Sequence, residues 1–517
     1  MDNRKRLVNP CVVALFAILL STHASAQSLL RGLGPEPDSL HIHLAQGVAA
    51  LNVLRDIREG LLRPGPDGAP AAGVAQTWQV SDDGLEYEFK LRQSACWSNG
   101  DPVTAGDFLR AWNALFAQGS VAPNAELLEA MLDAQGNLNV HAPDDHVLHI
   151  KLRYPLPWLP YLLSHPVAYP MHGGTESGGR NGPFNGAYTL DKWIPNASID
   201  LEKNDCYWDA GNTRTERVSY FPIEDPGSEL SRYRAHELHI SETIPAGRYE
   251  WIMDNLPGEL QVHPYLGSFF LGLNLRRDEL AGSARLRQAL ALAVDRDKLA
   301  RLVLASGEQP AYSLVPPGLA GYNQSLMPLA ESSQAEREER ARQYYREAGY
   351  SRENPLHLEL RFNTSSIHRR TAIAVAAMWK QVLGVTTQMI NEEWKVFVNN
   401  RRQAVNTEVF RGGWIGDYPD PMTFLALFKS DGAMNWSGFR SSEYDDMLEE
   451  AKQMAAGPGR QELLARLEAH LWESQPLIPL YYYVSRHLVK PSVQGFVPNV
   501  QDVHLSQYIE VQANRQQ

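Results

Sequence analysis

Residues 358–384 alternate between strand-like and helix-like patterns. Residues 358–362 read Leu-Glu-Leu-Arg-Phe, in which apolar and polar side chains alternate as on a strand with one buried face. Residues 364–366 read Thr-Ser-Ser and offer capping side chains for a helix that ends at Gly384. This β-α-β rhythm predicts an α/β lobe in which helices pack on a sheet.

Several other segments have equally regular patterns. Residues 85–91 and 147–152 alternate with period two, which predicts strands. A helix is predicted over residues 104–116, because Thr104 is a suitable N-cap, and a second over residues 285–304 from its helical periodicity. The glycine-rich residues 173–186 suit a crossing between lobes.

The first 26 residues have the pattern of a cleavable export signal. Basic residues at 4–6 precede an apolar run at 12–20 and an Ala-Ser-Ala cleavage site at 24–26. The apolar run is too short to span a bilayer. Cys11 precedes this run, so it is not placed as a lipid acceptor. We therefore expect an exported, soluble chain that begins near Gln27.

The net charge argues against two classes of partner. The chain has a formal net charge of −12, and removal of three basic residues and one acidic residue with the signal makes it −14. An acidic chain without basic clusters does not suit nucleic acid or an anionic membrane surface. The length predicts two or three domains. Cys96 and Cys206 could pair in an oxidising compartment, but the sequence does not give their separation.

The most concentrated set of candidate binding residues lies just after residue 410. Arg411 and Asp417 carry opposite charges about 20 Å apart if the segment is extended, which suits the two ends of a short zwitterionic ligand. Gly412 and Gly413 would let another backbone approach closely, because they have no Cβ. A solvated arginine and a turn-capping aspartate are the alternative interpretation of the same residues.

Motifs spaced along the chain also resemble a known family. These motifs are VAQTW at 74–78, WSNGDPVTA at 97–105, GAYTL at 186–190, YWD at 207–209, RQAL at 287–290, WIGDY at 414–418 and IPLYYY at 478–483. In this order they resemble the periplasmic oligopeptide-binding proteins, which are solute receptors of peptide ABC importers, and the resemblance runs from about Leu40 to Val511.

The resemblance implies an α/β, two-lobed periplasmic binding protein fold with a third domain packed on the first lobe. It places lobe I at residues 27–71, 183–266 and 484–517, the accessory domain at 72–182 and the opposing lobe at 267–483. In the family, an extended peptide lies between the lobes and pairs with protein strands through its backbone. The implied partners are a short peptide and a membrane permease complex, and we expect a monomer.

The resemblance also assigns roles to single residues. Asp417 matches the position that receives the peptide ammonium group, which needs a carboxylate when it is buried. Arg411 and His368 match basic positions that receive the peptide carboxylate. Glu59 and Arg401 resemble an ion pair between the lobes. Further residues expected beside the peptide are Gly413, Trp394, Trp414 and Tyr482.

Some positions depart from well-known members of the family. Leu304 replaces a lysine that can meet a ligand carboxylate, and Gly272 replaces a glutamate that lines the cleft. The cysteine pair of those members falls on Gly267 and Ile415, so that bridge is absent. Recognition of the peptide ends is retained, whereas the preferred length and side chains stay open, and a murein peptide is an alternative ligand.

Other classes of function have weaker support. His236 and His239 lie three residues apart, which is not the spacing that puts two zinc ligands on one helical face. No nucleophile elbow or phosphate-binding loop is present, so neither an enzyme nor a cofactor or metal site is predicted. A metal chelate or a peptide-like antibiotic is an alternative cargo on the same fold, although the Arg411 and Asp417 charges favour a zwitterion.

Overall fold

A computed structural model describes residues 28–45, 47–120, 122–174, 179–245, 247–403 and 407–512. The predicted export signal at residues 1–26 lies outside these residues. In the described segments, no helix is long and apolar enough to cross a membrane.

The strands follow each other along the chain in short and long pieces. They are β1 (Leu29–Gly34), β2 (Leu62–Pro64), β3 (Pro70–Ala72), β4 (Ala75–Val80), β5 (Glu86–Leu91), β6 (Val140–Asp144), β7 (Val147–Lys151), β8 (Tyr188–Ile194), β9 (Ser198–Lys203), β10 (Arg217–Pro222), β11 (Leu260–Leu273), β12 (Gln309–Pro310), β13 (His357–Asn363), β14 (Thr386–Glu392), β15 (Val409–Ile415), β16 (Leu477–Leu488), β17 (Val493–Gln494) and β18 (Glu510–Val511).

The helices are concentrated in the second half of the chain. They are α1 (Val48–Ile57), α2 (Ala105–Leu115), α3 (Leu159–Leu162), α4 (Pro226–Arg234), α5 (Tyr249–Asn255), α6 (Asp278–Ala281), α7 (Ala284–Leu292), α8 (Arg296–Lys298), α9 (Gln334–Glu347), α10 (Ser366–Leu383), α11 (Trp394–Arg402), α12 (Met422–Leu425), α13 (Ser442–Gln453) and α14 (Pro458–Ser474).

Three larger sheets organise the described residues. The amino-terminal sheet has the order β1-β10-β9-β8, and the accessory sheet has the order β4-β5-β7-β6. The central sheet has the order β12-β16-β11-β15-β13-β14. The α/β architecture expected from the sequence is therefore present. Each sheet lies mainly within one predicted domain, while the domain boundaries themselves stay a prediction.

Alternating side chains explain the accessory sheet. In β5, Tyr87, Phe89 and Leu91 are buried while the residues between them are more exposed, which confirms the strand predicted at residues 85–91. Full burial of one such side chain contributes about 1.5–3 kcal/mol. The predicted helix over residues 104–116 is also confirmed as α2, and the Thr104 and Asp107 side chains form a capping box at its start.

The single helix predicted over residues 285–304 is wrong. Helix α7 ends at Leu292, α8 begins after Asp295, and residues 299–304 form a π-helical turn. The Asp295 carboxylate accepts a hydrogen bond from the Lys298 N–H, so it caps a new helix inside the predicted one. The buried Arg296 guanidinium donates to the carbonyl groups of Ala291 and Val294 at the end of α7.

The two longest strands, β11 and β16, cross the predicted boundary between lobe I and the opposing lobe. Strands β11 and β16 pair antiparallel from Leu260 opposite Leu488 to Gly272 opposite Leu477. The register is interrupted between Pro264 and Ser268, where proline has no N–H to donate to the ladder. This irregularity coincides with the predicted crossing between lobe I and the opposing lobe.

A disulfide fastens the accessory domain to lobe I. Cys96 and Cys206, whose pairing the sequence left open, are bonded, and their Cα atoms are 5.8 Å apart. Cys96 follows the accessory strand β5, whereas Cys206 follows β9 of the amino-terminal sheet. The bond therefore joins parts of the chain that lie 110 residues apart in sequence.

Candidate ligand-binding site

One edge of β15 is open along the segment that carries the predicted binding residues. On its first side, β15 pairs with β11 from Val409 to Ile415. On its second side, it pairs with β13 only at Val409 and Phe410. From Arg411 onward, no strand of the described chain pairs with this second side. The backbone groups there are available for a further strand.

The two glycines of β15 lie on opposite faces of the central sheet. A Cβ on Gly412 would lie 2.2 Å from the Phe270 ring, which is buried in the core. A Cβ on Gly413 would lie 2.9 Å from the Tyr483 hydroxyl and 3.2 Å from the Arg411 guanidinium. Side chains therefore occupy the space where a Cβ of either glycine would lie. Phe270 and Tyr483 come from the other strands of the sheet, and Arg411 comes from β15 itself.

Arg411 and His368 come together on one aromatic surface. The Arg411 Nη2 atom donates to the Tyr483 hydroxyl at 3.2 Å, and its guanidinium lies 5.2 Å from the centre of the Phe269 ring. The His368 ring lies 5.4 Å from the same Phe269 ring. The helix α10 supplies His368 from its first turn.

The two basic groups differ in charge at neutral pH. Burial of the imidazole lowers the pKa of His368 to about 4, and the positive charge of Arg411 acts in the same direction. His368 is therefore neutral near pH 7 in this arrangement, and Arg411 supplies the positive charge of the pair. A ligand carboxylate beside both groups would oppose this lowering of the pKa.

The structure places Tyr482 away from this group. Its hydroxyl lies 2.5 Å from the Ser313 Oγ atom, accepts the Ser313 N–H, and accepts a hydrogen bond from Gln324. Successive residues of a strand point to opposite faces, so Tyr483 is the tyrosine beside Arg411. Sequence reasoning named Tyr482 and missed Tyr483 as the tyrosine that contacts Arg411. The role of Tyr482 beside a peptide stays a prediction.

A structured turn positions Asp417 beyond the end of β15. The Gly416 N–H donates to the Leu266 carbonyl at 2.8 Å. The Tyr418 ring stacks on Trp158 of the accessory domain, with centroids 4.4 Å apart. Two residues later, the Asp420 carboxylate accepts two hydrogen bonds from the buried Arg460 guanidinium, at 2.7 and 3.0 Å. Sequence reasoning did not identify this buried ion pair.

The Asp417 carboxyl group lies where the three domains meet. It lines a cavity of about 340 Å³ together with Asn52 and Asp502 of lobe I and Leu127 of the accessory domain. The side chain is exposed to the cavity, yet the surrounding protein raises its pKa to about 6, and the negative charge of Glu126 adds to this effect. A positive charge placed beside Asp417 would therefore stabilise its carboxylate form.

The predicted tryptophans are placed differently. Trp414 is half-buried, and its indole N–H donates to the Thr423 hydroxyl at 3.0 Å. Trp394 is the first residue of α11, and its side chain lies outside the described part of the structure. Trp394 therefore stays a prediction.

Glu59 and Arg401, the predicted pair between lobes, each have contacts of their own. The buried Glu59 carboxylate accepts hydrogen bonds from the Tyr207 hydroxyl at 2.5 Å and the Trp208 indole at 2.7 Å. The Arg401 guanidinium lies 3.5 Å from the centre of the Trp436 ring. The ion pair between Glu59 and Arg401 stays a prediction.

The positions that depart from the family are largely core positions. Leu304 is buried in the hydrophobic core, and a Cβ on Gly272 would lie 2.2 Å from the Phe410 ring. Gly267 and Ile415 are direct partners across β11 and β15. This pairing agrees with the expectation that they correspond to a cysteine pair in other members.

Strands shared between two lobes and an open sheet edge between a cationic group and an acid define a two-lobed α/β solute-binding protein. The sequence matches the bacterial extracellular solute-binding proteins, family 5 middle region, over residues 69–436. It is 36% identical over 492 residues to the periplasmic oligopeptide-binding protein OppA of Salmonella typhimurium, covering 92% of this chain and 90% of OppA. The chain belongs to family 5 of the bacterial extracellular solute-binding proteins.

The structure is also similar to solved structures of this family. It matches the periplasmic murein tripeptide-binding protein MppA in its unliganded open form with a TM-score of 0.84 and 33% identity, covering 94% of this chain and 98% of MppA. Against another structure of MppA, from Escherichia coli, the TM-score is 0.76 at the same identity, with 94% and 99% of the two chains covered. The overall similarity is thus higher to the unliganded open form than to the second MppA structure.

Proposed function

We propose that this protein is a periplasmic receptor that binds short peptides between its lobes and delivers them to a membrane ABC permease. The open edge of β15, between the Arg411 group and Asp417, is the observation that carries this proposal. An extended peptide adds to such an edge through backbone hydrogen bonds, which do not depend on its side chains.

The two ends of the edge suit the two ends of a free peptide. A peptide α-ammonium group has a pKa near ~8 and is charged at neutral pH, so it complements the Asp417 carboxylate. The guanidinium of Arg411 receives the peptide carboxylate as a planar fork of donors, and the neutral His368 imidazole adds a hydrogen bond. Tyr483 holds Arg411 in place for this contact.

The remaining predicted residues form the walls of the peptide groove. Gly413 keeps the face of β15 beside Tyr483 and Arg411 free of a side chain. Trp414 and Trp394 supply aromatic surface for ligand side chains. Glu59 and Arg401 pair when the lobes close. The domains have the ranges implied by the family, and the protein acts as a monomer without chemical turnover of its ligand.

A murein peptide is the second candidate ligand. The similarity to the open form of the murein tripeptide-binding protein MppA favours it. Leu304 also favours a specialised ligand, because this buried side chain provides no charge where generalist members carry a lysine. A murein peptide offers the same terminal ammonium group to Asp417 and extra carboxylates elsewhere.

Ligand identification from the purified protein tests both candidates. Denaturation of the mature protein should release its bound ligand, and we expect mass spectrometry to identify this ligand as peptides with free amino termini. Calorimetric titration of the stripped protein with trialanine, tetraalanine and murein tripeptide then ranks the two classes. Binding of a nickel chelate in place of every peptide would contradict the proposal.

A further inference from the structure

Two histidines and an aspartate form a cluster beside the ligand cavity. His487 belongs to β16, and Asp502 and His504 lie in the segment that follows β17. The Nε2 atoms of His487 and His504 lie 2.8 and 3.0 Å from the same Asp502 Oδ1 atom. The candidate ligand atoms of the three side chains all lie within 4.8 Å of one another.

Hydrogen bonding fixes the orientation of the His487 ring. Its Nδ1 atom lies 2.9 Å from the Ser241 carbonyl oxygen, which can only accept a hydrogen bond. The Nδ1 atom therefore carries a hydrogen, and Nε2 is directed at Asp502. A backbone carbonyl that orients the second nitrogen in this way is the usual support of a histidine that binds a metal ion.

Packing fixes the second histidine. The His504 ring stacks on Phe496, with ring centroids 3.9 Å apart. The neighbouring Arg31 guanidinium donates to the Tyr220 and Ser506 hydroxyls and to the His504 carbonyl. Both imidazoles are therefore held in place before any ligand binds.

The cluster is accessible from the cavity through its acidic member. Asp502 lines the cavity of about 340 Å³ that also contains Asp417 and Tyr265. The Asp502 side chain is 21% exposed, whereas the two histidine side chains are each 5% exposed. An ion can thus reach the carboxylate from the cavity and the imidazoles behind it.

We propose that His487, Asp502 and His504 form a zinc-binding site. Two imidazole nitrogens and one carboxylate oxygen are ligands that Zn²⁺ prefers, and three protein ligands leave a fourth position open. Zinc at about 2.1 Å from tetrahedral ligands requires N–O separations of about 3.4 Å. The observed 2.8 and 3.0 Å separations need to widen by about half an ångström. The spacing of these residues in sequence gave no signal of this site.

Zinc retention by the purified mature protein tests the proposal. The protein is stripped with EDTA, mixed with one equivalent of Zn²⁺ and passed over a desalting column, and the retained metal is measured. We expect about one zinc ion per wild-type chain. Zinc affinity should be at least about tenfold lower in both His504→Gln and Asp502→Asn, measured by competition with a chromophoric chelator. Circular dichroism confirms that each variant is folded.

A surface histidine pair provides the matched control. His141 and His149 are direct partners across β6 and β7, and His149 is also opposite Glu88 on β5. His149→Gln should leave zinc retention unchanged. Zinc should also raise the melting temperature of the wild type and of His149→Gln but not of His504→Gln, because an ion that binds only the folded chain stabilises it.

Three outcomes would overturn the zinc site. The first is that the wild type retains no zinc, in which case His487, Asp502 and His504 form only a hydrogen-bonded cluster. Alternatively, His504→Gln retains zinc as tightly as the wild type, or retention is lost in His149→Gln and the surface pair is the ligand. None of these measurements depends on peptide binding, so they leave the proposed function untouched.

Discussion

The carboxyl group of Asp417 is exposed to a cavity that residues of lobe I and of the accessory domain also line. Loss of water contacts to the surrounding protein and the nearby charge of Glu126 raise its pKa to about 6, although Lys429 and Lys452 also line the neighbouring cavity. The carboxylate form is therefore less stable than that of an ordinary aspartate in water. A bound ammonium group would stabilise this form, so ligand binding and deprotonation of Asp417 are coupled.

This coupling predicts that peptide affinity falls as the pH falls. The raised pKa means that Asp417 becomes protonated on passing below about pH 6, where the peptide ammonium group stays charged. We expect the dissociation constant of a free peptide to increase about tenfold between pH 7 and pH 5. Calorimetry across this range provides the measurement, and Asp417→Asn, although weaker throughout, should lose most of the pH dependence.

The Arg411 and His368 side chains should contribute unequally at neutral pH. The pKa of His368 is lowered to about 4, so it offers a neutral hydrogen bond, while Arg411 offers a charged one. Charged hydrogen bonds contribute about 1.5–3 kcal/mol and neutral ones about 0.5–1.5 kcal/mol. Arg411→Gln should therefore weaken binding more than His368→Gln in titrations at pH 7. A larger loss for His368→Gln would contradict these assigned charges.

For β15, the sequence pattern predicted part of what the structure shows. The pattern of residues 410–417 identified a segment with a cation, two glycines and an acid. The cation and the glycines lie on a strand with one open edge, and the acid lies in the turn that follows it. The resemblance placed Tyr482 beside the peptide, whereas Tyr483 is the tyrosine that contacts Arg411. The sequence did not show which face of β16 lies beside Arg411, because the face depends on how β16 packs against β11 and β12.

Local sequence patterns did not predict that helix α7 ends at Leu292. Residues 285–304 have continuous helical periodicity, yet Asp295 caps a new helix and the Arg296 guanidinium donates to the distant Pro479 carbonyl at 2.7 Å. This tertiary contact overrides the local preference for one helix. The zinc cluster likewise joins positions that only the tertiary fold brings together.

The two glycines of β15 provide a matched pair of substitutions. Gly412→Ala should destabilise the protein by about 1–3 kcal/mol, because its Cβ would overlap the buried Phe270 ring. In Gly413→Ala, the added Cβ would contact the hydroxyl end of the Tyr483 side chain, which can move. We therefore expect this variant to lose less stability than Gly412→Ala and to bind peptides more weakly than the wild type. Urea unfolding and calorimetry measure the two effects. Equal stability losses in both variants would contradict the assignment of their faces.

At the scale of the whole molecule, the long strands β11 and β16 connect the lobes and are irregular near Pro264. The structure matches the unliganded open form of MppA better than a second MppA structure. The Trp158–Tyr418 stack already joins the accessory domain to the opposing lobe. We expect bending at this irregular segment to close the lobes over β15.

We therefore expect the protein to become more compact when it binds a peptide. Small-angle scattering of the stripped protein should show a smaller radius of gyration after a saturating peptide is added. Asp417→Asn at the same peptide concentration should remain closer to the open form, because it binds more weakly. A radius of gyration that does not change in the saturated wild type would exclude closure.

A two-by-two titration tests the contact between Asp417 and the ligand ammonium group. Wild type and Asp417→Ala are each titrated with a free tripeptide and with its N-acetylated form. Loss of one partner of a buried ion pair costs about 3–5 kcal/mol, or about a hundred-fold to a few thousand-fold in affinity. The wild type should strongly prefer the free peptide, and Asp417→Ala should largely lose this preference. Equal binding of both peptides by the wild type, or an unchanged affinity of Asp417→Ala for the free peptide, would contradict the account.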